Sequence, residues 1–453
     1  MPDKSSLTQS LTDREADLDV LQMHVESALL RARKAGATAA EVSARASNGL
    51  AVNVRLAEVD TLEHTQDRDI SVNVFMGHRK GHATSADLGR DSILACVDKA
   101  LEIARFTQED PCNGLADAGL MASEFPDLDI WHPVRMDARA AIARAVACER
   151  AGTADPAITN SEGAAFEAGQ SLSVYGNSHG FIGRSSGTRF SQSCVLIGGK
   201  GEGMQRDYSY DSRRDLADLE PAEETGREAA RRTLRRLGAS QLPTGQMPII
   251  FSAEAAKGLL GHLVGAISGT ALYRNASFLR DAAGEQLFPD WVILSERPHL
   301  PRGSGSAAFD SEGVRTRERN IIEGGVLQGY ALSSYSARRL GLTTTGNAGG
   351  VRNLLLSPGG SHPENVLSQV TDGFYVTEVM GQGVSLVTGD YSRGASGFRI
   401  KNGELTHAVD EVTIAGNLRE MFSDIVAAGS NLDIRGNIHA GDILIGRMTI
   451  AGS

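Results

Sequence analysis

The sequence is poor in the features that mark disulfide-stabilised, membrane-spanning and nucleic-acid-binding proteins. It has only four cysteines among 453 residues, none of them in a C-x-x-C pair, which is typical of reduced thiols in a cytosolic protein. It has no run of about 18 apolar residues, and its first twenty residues contain no apolar signal core. A net charge of −11 disfavours binding to phosphate backbones. We therefore expect a cytoplasmic protein that binds neither nucleic acid nor membrane.

Histidine-based metal motifs are missing as well. None of the eleven histidines is followed directly by glutamate, so the chain has no H-E-x-x-H motif and no longer variant of it. His78 and His82 stand between glycines after a predicted strand, a pattern more typical of a hairpin tip than of a zinc site. The G-x-S-x-G match around Ser178 lies between two β runs. It therefore predicts a hairpin turn and not a nucleophile elbow, which needs a helix after the serine.

The patterns that are present alternate between helical and strand periodicity in the first half. Apolar residues recur at helical spacing from Leu18 to Ala32, with Gly36 as the C′ residue, and alternating strands follow. The stretch "RDSILACVDKALEIARF" predicts a second helix. The same order of helix, β runs and helix then recurs, and the stretch "PAEETGREAARRTLRRLG" forms its closing helix. We predict two crude copies of a helix, an antiparallel meander and a helix.

The second half is dominated by glycine and β-branched residues. A linker is predicted over Ala239–Pro248, and "IKNGEL" places Asn-Gly between two β runs, which indicates a hairpin. The predicted fold class is α+β. An N-terminal domain of helices and antiparallel meanders would cover residues 1–245, and a C-terminal β-rich domain with a few helices would cover residues 246–453.

One predicted helix, "AAKGLLGHLVGAISG", carries a single histidine in its middle. Ser252 can cap it, and its apolar arc consists of Leu259, Leu260, Leu263, Val264 and Ile267. His262 lies beside the edge of that arc. A helix with one imidazole and no carboxylate supplies at most one zinc ligand and no local general base for a metal-bound water. From the residues alone, His262 is interpreted as a histidine at the boundary of the core.

Several long segments resemble the TldD/PmbA family, with the closer match to its PmbA branch, also called TldE. They include "GLLGHLVGAISG", "FLRDAAGEQLFPDW" and "GQGVSLVTGDYSRGASGF". The resemblance implies a zinc-dependent peptidase in the bacterial cytoplasm, a heterodimer of TldD and TldE that degrades unfolded peptides. An older name for such proteins is modulator of DNA gyrase. The resemblance also implies that the TldD subunit holds zinc through H-E-x-x-x-H on a helix and through a cysteine near its C-terminus.

Carried over to this chain, the helix motif falls on positions 257–262. Lys257 stands at the first histidine, Gly258 at the glutamate and His262 at the last histidine. Near the C-terminus, His439 and Ala440 occupy the region where the cysteine is expected, and no cysteine follows Cys194. We therefore expect these five residues to be vestigial. This chain would have no catalytic residue and no metal, and zinc would belong to a TldD-type partner.

Two other interpretations remain open at this point. The chain could be a metallopeptidase in its own right, using His262 and His439 with a carboxylate such as Glu254 or Asp390. It could instead be a self-associating adaptor that acts on DNA gyrase or another regulator. The expected partners are a homologous TldD-type subunit in a heterodimer, a second copy of this chain when it is isolated, and unfolded peptides. Such peptides are commonly bound by strand addition to an open sheet edge.

Overall fold

The computed structural model describes residues 13–452 and shows an α+β protein with three β-sheets. Its helices are α1 (Arg14–Lys34), α2 (Arg90–Phe106), α3 (Ala138–Gly152), α4 (Ala222–Arg235), α5 (Ala253–Ala266), α6 (Gly269–Tyr273), α7 (Ser334–Leu340) and α8 (Leu418–Ser423). Its strands are β1 (Ala39–Arg55), β2 (Glu58–Met76), β3 (Arg79–Ser85), β4 (Ile158–Asn177), β5 (Ile182–Gly198), β6 (Gln205–Arg213), β7 (Gly245–Phe251), β8 (Leu294–Glu296), β9 (Arg319–Glu323), β10 (Val326–Leu327), β11 (Leu354–Leu356), β12 (Gly359–Gly360), β13 (Asp372–Met380), β14 (Asp390–Lys401), β15 (Glu404–Asn417), β16 (Ile425–Ala428), β17 (Ile438–His439) and β18 (Ile443–Ala451). None of the helices described is long and apolar enough to cross a membrane.

The first sheet contains two copies of one unit. Its strand order is β3-β2-β1-β4-β5-β6, with the two meanders joined by the antiparallel pair β1–β4. Helices α1 and α2 flank the first meander along the chain, and α3 and α4 flank the second. The predicted repeat of helix, meander and helix is thus confirmed.

Alternation along the strands separates a buried face of this sheet from a polar one. On the buried face, α1 and α2 pack over β1 and β2 around Val25, Val72 and Val97. Helices α3 and α4 cover the other half around Phe166 and Ala229. The four helices therefore share one face, and the opposite face is left polar, as is common in antiparallel sheets.

The second half contains a closed ring of strands. Strand β7 pairs in parallel with β13 and antiparallel with β18, which closes the order β18-β15-β14-β13-β7 on itself. The predicted hairpin at "IKNGEL" is confirmed as the β14–β15 turn, where Asn402 and Gly403 have φ of 51° and 77°. Positive φ at both central residues is the reason for the Asn-Gly preference. A smaller sheet has the strand order β10-β9-β8-β11-β17. Its strands all lie between β7 and β18 in the sequence.

The predicted linker Ala239–Pro248 is too long, because β7 begins at Gly245 and includes Pro248. Local composition indicated a break there, but pairing with β13 and β18 decides the structure. The last strand of the first sheet ends at Arg213, and the strands of the other two sheets begin at Gly245 and Leu294. On that basis we propose the division of the chain into domains at residue 245.

Close contact between helices predicts opposite effects for two glycine substitutions. A Cβ on Gly226 in α4 would lie 1.9 Å from the carbonyl oxygen of Cys148 in α3, whereas a Cβ on Gly258 in α5 would meet nothing within 4 Å. Gly226→Ala should lower the free energy of unfolding by about 1–3 kcal/mol through overpacking. Gly258→Ala should raise it by roughly 0.5–1 kcal/mol through helix propensity. Chemical denaturation measures both, and changes of the same sign would contradict this packing.

Candidate functional site

Helix α5 directly follows strand β7 and buries one face in the core of the second half. The hydroxyl of Ser252 accepts a hydrogen bond from the amide of Ala255 at 3.3 Å, so the predicted cap is confirmed. The buried residues of the helix are Ala256, Leu259, Leu260, Leu263 and Ala266. Lys257, Gly258 and His262 lie outside that set, and the resemblance assigns the former zinc motif to these three.

Lys257 makes an ion pair with Asp433, which lies 176 residues further along the sequence. Its Nζ lies 2.6 Å from Asp433 Oδ2 and 3.3 Å from the hydroxyl of Tyr210. The two charged side chains are only 16% and 5% exposed. Both charges are shielded from water. Removing one partner would therefore leave the other charge buried without compensation, at a high free-energy cost.

Asp433 is also held by Arg435. Arg435 donates from Nη2 to Oδ2 at 2.6 Å and from Nε to Oδ1 at 2.9 Å, and its guanidinium stacks 4.2 Å from the ring centre of Tyr210. Burial opposes ionisation of Asp433, but hydrogen bonds from Arg435 and Lys257 outweigh it and lower the pKa of this carboxyl. Asp433 and Arg435 could not be identified from the sequence, because Asp433 pairs with Lys257 and Arg435 with Glu254, both far away in the chain.

Glu254, one of the carboxylates considered as a metal ligand, is saturated by three donors. It accepts from the hydroxyl of Tyr208 at 2.6 Å, from Arg232 at 2.8 Å and from Arg435 at 3.1 Å. Burial opposes its ionisation, yet the charge of Arg232 and the hydrogen bond from Tyr208 lower its pKa. Its lone pairs are therefore committed to cations and a hydroxyl.

These residues form one network, which we call the α5 charge cluster. It consists of Tyr208 and Tyr210 on β6, Arg232 on α4, Glu254 and Lys257 on α5, and Asp433 and Arg435 before β17. Strand β6 and helix α4 belong to the first sheet and its helices, whereas α5 and the segment before β17 belong to the second half. The cluster therefore binds the two halves of the chain to each other.

The other two positions to which the resemblance assigns the motif carry no such contacts. Gly258 is exposed. His262 is half-buried, with its ring 5.9 Å from that of Tyr391 in an edge-on arrangement. Burial, and then the charge of Arg393, lower the pKa of His262. The surroundings therefore favour the neutral imidazole, which packs against an aromatic ring.

The C-terminal positions lie close to the cluster. Buried His439 has its Nε2 2.9 Å from the carbonyl oxygen of Gly436, and burial lowers its pKa. Ala440 is fully buried, and its carbonyl accepts the amide hydrogen of Asp433 at 2.9 Å. The helix and the C-terminal segment thus meet at Asp433, which pairs with Lys257 on one side and Ala440 on the other.

The other candidate ligands and nucleophiles do not come together in one site. No hydrogen bond or ring contact joins His262 to His439 within residues 13–452. Asp390 is exposed and accepts from the hydroxyl of Thr388 at 2.6 Å. Ser178 lies in the β4–β5 turn, as predicted, where its hydroxyl accepts from the amide of Ala40. In the same described range, no group of three or more histidine, cysteine, aspartate or glutamate side chains is arranged to hold a metal ion.

Comparison with known proteins gives matches along most of the chain. Models of the PmbA/TldA metallopeptidase match as domain 1 over residues 40–104, as the central domain over 131–237 and as the C-terminal domain over 244–452. Metalloprotease PmbA of Escherichia coli O157:H7 is 45% identical over 97% of each chain. The metalloprotease PmbA homolog of Haemophilus influenzae is 44% identical over 96% of each chain.

Solved structures share the fold. A Bacteroides thetaiotaomicron protein that carries the name modulator of DNA gyrase matches with a TM-score of 0.91 and 26% identity, over 98% of this chain and all of that one. TldE from Thermococcus kodakarensis matches with a TM-score of 0.83 and 19% identity, over 95% of this chain and all of that one. At 19% identity, the second likeness concerns the fold alone.

The buried ion pair predicts a loss of stability in Lys257→Met. Methionine keeps most of the side-chain volume but leaves Asp433 with Arg435 as its remaining cationic partner. We expect the free energy of unfolding to fall by about 1–3 kcal/mol, below the full cost of an uncompensated buried charge. Lys99→Met is the control, since Lys99 pairs with Glu102 on the exposed surface. Urea denaturation measures both, and equal effects would contradict the role of the α5 charge cluster.

The lowered pKa of Asp433 predicts a pH dependence with a defined sign. Since the folded-state pKa lies below the ordinary value of about 3.9, the contribution is present above that value and is lost as pH falls below it. The difference in unfolding free energy between the wild type and Asp433→Asn should therefore shrink by roughly 0.5–1 kcal/mol from pH 6 to pH 3.5. Urea denaturation at the two pH values measures it, and a constant or growing difference would contradict the assignment.

Proposed function

The chain belongs to the PmbA/TldD family of metallopeptidases, and from that premise we propose that it is the non-catalytic, TldE-like subunit of a two-subunit zinc peptidase. Its partner would be a homologous TldD-type subunit that holds the metal. The substrates would be unfolded peptides in the cytoplasm. This chain would enclose and hold the substrate while the partner cleaves it.

The observation that carries this proposal is the ion pair of Lys257 with Asp433. A family motif would place a histidine ligand at position 257, and here a buried ammonium group stands there, 2.6 Å from a carboxylate oxygen. A divalent cation at this place would face a fixed positive charge with another, Arg435, beside it. The donor set does not fit zinc, which takes three protein ligands and an open position in catalytic sites.

The other donors nearby argue in the same direction. Glu254 already accepts from Arg232, Arg435 and Tyr208, so it is neither a free ligand nor a free base. The ring of His262 packs on Tyr391, and His439 faces a backbone carbonyl instead. A metallopeptidase that used these two histidines with Glu254 would need the α5 charge cluster to come apart. We therefore favour a subunit whose former zinc helix now stabilises the contact between its two halves.

The proposal predicts that activity requires a second subunit. The purified chain should contain less than about 0.1 zinc per chain after dialysis and should not cleave casein or an unfolded peptide. Added to a TldD-type subunit from the same organism, it should raise peptide cleavage at least tenfold. Inductively coupled plasma mass spectrometry and a fluorogenic peptide assay provide the readouts. A mixture with serum albumin in place of this chain is the control.

Three results would overturn the proposal. Near-stoichiometric zinc that survives dialysis would assign a metal site to this chain. Cleavage by this chain alone, blocked by a chelator, would make it a peptidase in its own right. No gain over the TldD-type subunit alone would remove the role of a required partner.

A further inference from the structure

A cleft of about 810 Å³ lies on the polar face of the first sheet, away from the α5 charge cluster. Its floor is formed by β1, β2 and β4, with Glu41, Ser43 and Asn73 among the lining side chains. Segments 125–131 and 307–311 form its walls. The volume falls within the range of about 300–1,000 Å³ that proteins use for small ligands.

One wall of the cleft is aromatic. Phe125 is 52% exposed and packs at 6.4 Å from Phe181 and at 6.1 Å, edge-on, from Phe309. Phe309 in turn packs edge-on against Phe181 at 5.5 Å. An exposed phenylalanine held by a rigid aromatic cluster offers a preformed apolar surface at little entropic cost.

Most charges along the cleft already have partners within this chain. Arg184 pairs with Asp19, and Asp129 with Arg302. Asp310 accepts three backbone amide hydrogens, and Glu41 accepts from Tyr175 and Asn73. Arg45 faces Asp69 at a paired position of β1 and β2. These groups are satisfied or have an opposite charge as a neighbour, so they do not call for a ligand.

Arg352 differs from these groups. Its backbone is fixed, since its amide donates to Glu296 at 2.7 Å and its carbonyl accepts from Arg297 at 3.2 Å. Its guanidinium has no hydrogen bond or ion pair with any residue of 13–452, and its Nε is buried without an acceptor. A buried donor without a partner costs about 1–3 kcal/mol. The residue lines the cleft and is half-buried, so a ligand can reach the rest of this cation.

We propose that the cleft binds an extended peptide by a carboxylate, with Arg352 as the anchor and Phe125 as the apolar contact. Guanidinium is the side-chain group best matched to a carboxylate, because its donors form a planar fork. The carboxylate is that of the peptide C-terminus or of an acidic side chain. The class of ligand rests on the proposed function, but the site itself rests on the cleft and on Arg352.

The test measures binding to this chain alone, with neither partner nor cleavage. The probe is an N-acetylated hexapeptide of alternating serine and alanine ending in phenylalanine, made with a free C-terminal carboxylate and as the C-terminal amide. We expect calorimetry to show at least tenfold tighter binding of the acid. A third peptide, the amide with one internal aspartate, separates terminal from side-chain carboxylates. If it binds as tightly as the acid, the anchor accepts both.

Substitutions locate the anchor. Arg352→Met should reduce the preference for the acid to less than twofold, and Arg352→Lys should retain part of it because the charge remains. Arg317→Met is the matched control, since Arg317 is exposed and lies outside the cleft. Trp131 lines the cleft and Trp291 does not, so peptide-induced quenching in a Trp291→Phe background should report on the same site.

Three results would overturn the proposal. These are equal affinity for acid and amide, a preference unchanged in Arg352→Met, or no saturable binding of any peptide up to millimolar concentration. Thermal unfolding of each variant verifies the fold, and Arg352→Lys decides the question if Arg352→Met does not fold. Failure here leaves the partner assay intact, because that assay measures cleavage by the mixture.

Discussion

The contact between the two halves of this protein depends on the α5 charge cluster, in which Glu254 on α5 binds Tyr208 and Arg232 of the first half. The cluster places three cations against two carboxylates, with the buried ion pair of Lys257 and Asp433 on the side of the second half, and two tyrosines contribute hydroxyls and ring faces. Buried charges are tolerated only when they are paired and hydrogen-bonded. Position 257 therefore has a structural role in this chain, because its ammonium group neutralises the buried carboxylate of Asp433.

The first sheet positions residues of both the α5 charge cluster and the cleft. Because two copies of one meander join at β1–β4, all four helices lie on one face and the polar face stays open. Strand β6 at one edge supplies Tyr208 and Tyr210 to the α5 charge cluster. Strands β1, β2 and β4 supply the floor of the cleft. Both features therefore draw on a single sheet, and a shift of the first sheet against the second half would alter both.

Sequence reasoning recovered what depends on neighbouring residues. The bounds of α2, the Gly36 terminus of α1, the Asn402–Gly403 turn and the repeat of meanders all follow from local periodicity or turn chemistry. It could not recover contacts between distant positions. Lys257 and Asp433 lie 176 residues apart, and the partner of a lone lysine cannot be read from its neighbours. The prediction of a linker at Pro248 was wrong, because strand pairing and not local composition decides the structure there. The unpartnered guanidinium of Arg352 could be identified only from the structure, by comparison with the charges in the cleft that have partners.

The closed ring in the second half has a consequence for biosynthesis. Strand β7 begins at Gly245 and β18 ends at Ala451, so the ring joins the first and last strands of a stretch of about two hundred residues. Chains emerge from the ribosome N-terminal end first, and contacts of large sequence separation form late. While translation continues, β7 has an unoccupied edge that can pair wrongly with other strands. The ring therefore closes only after β18 has been synthesised, and a chain that stops before β18 would keep that edge open and be prone to aggregation.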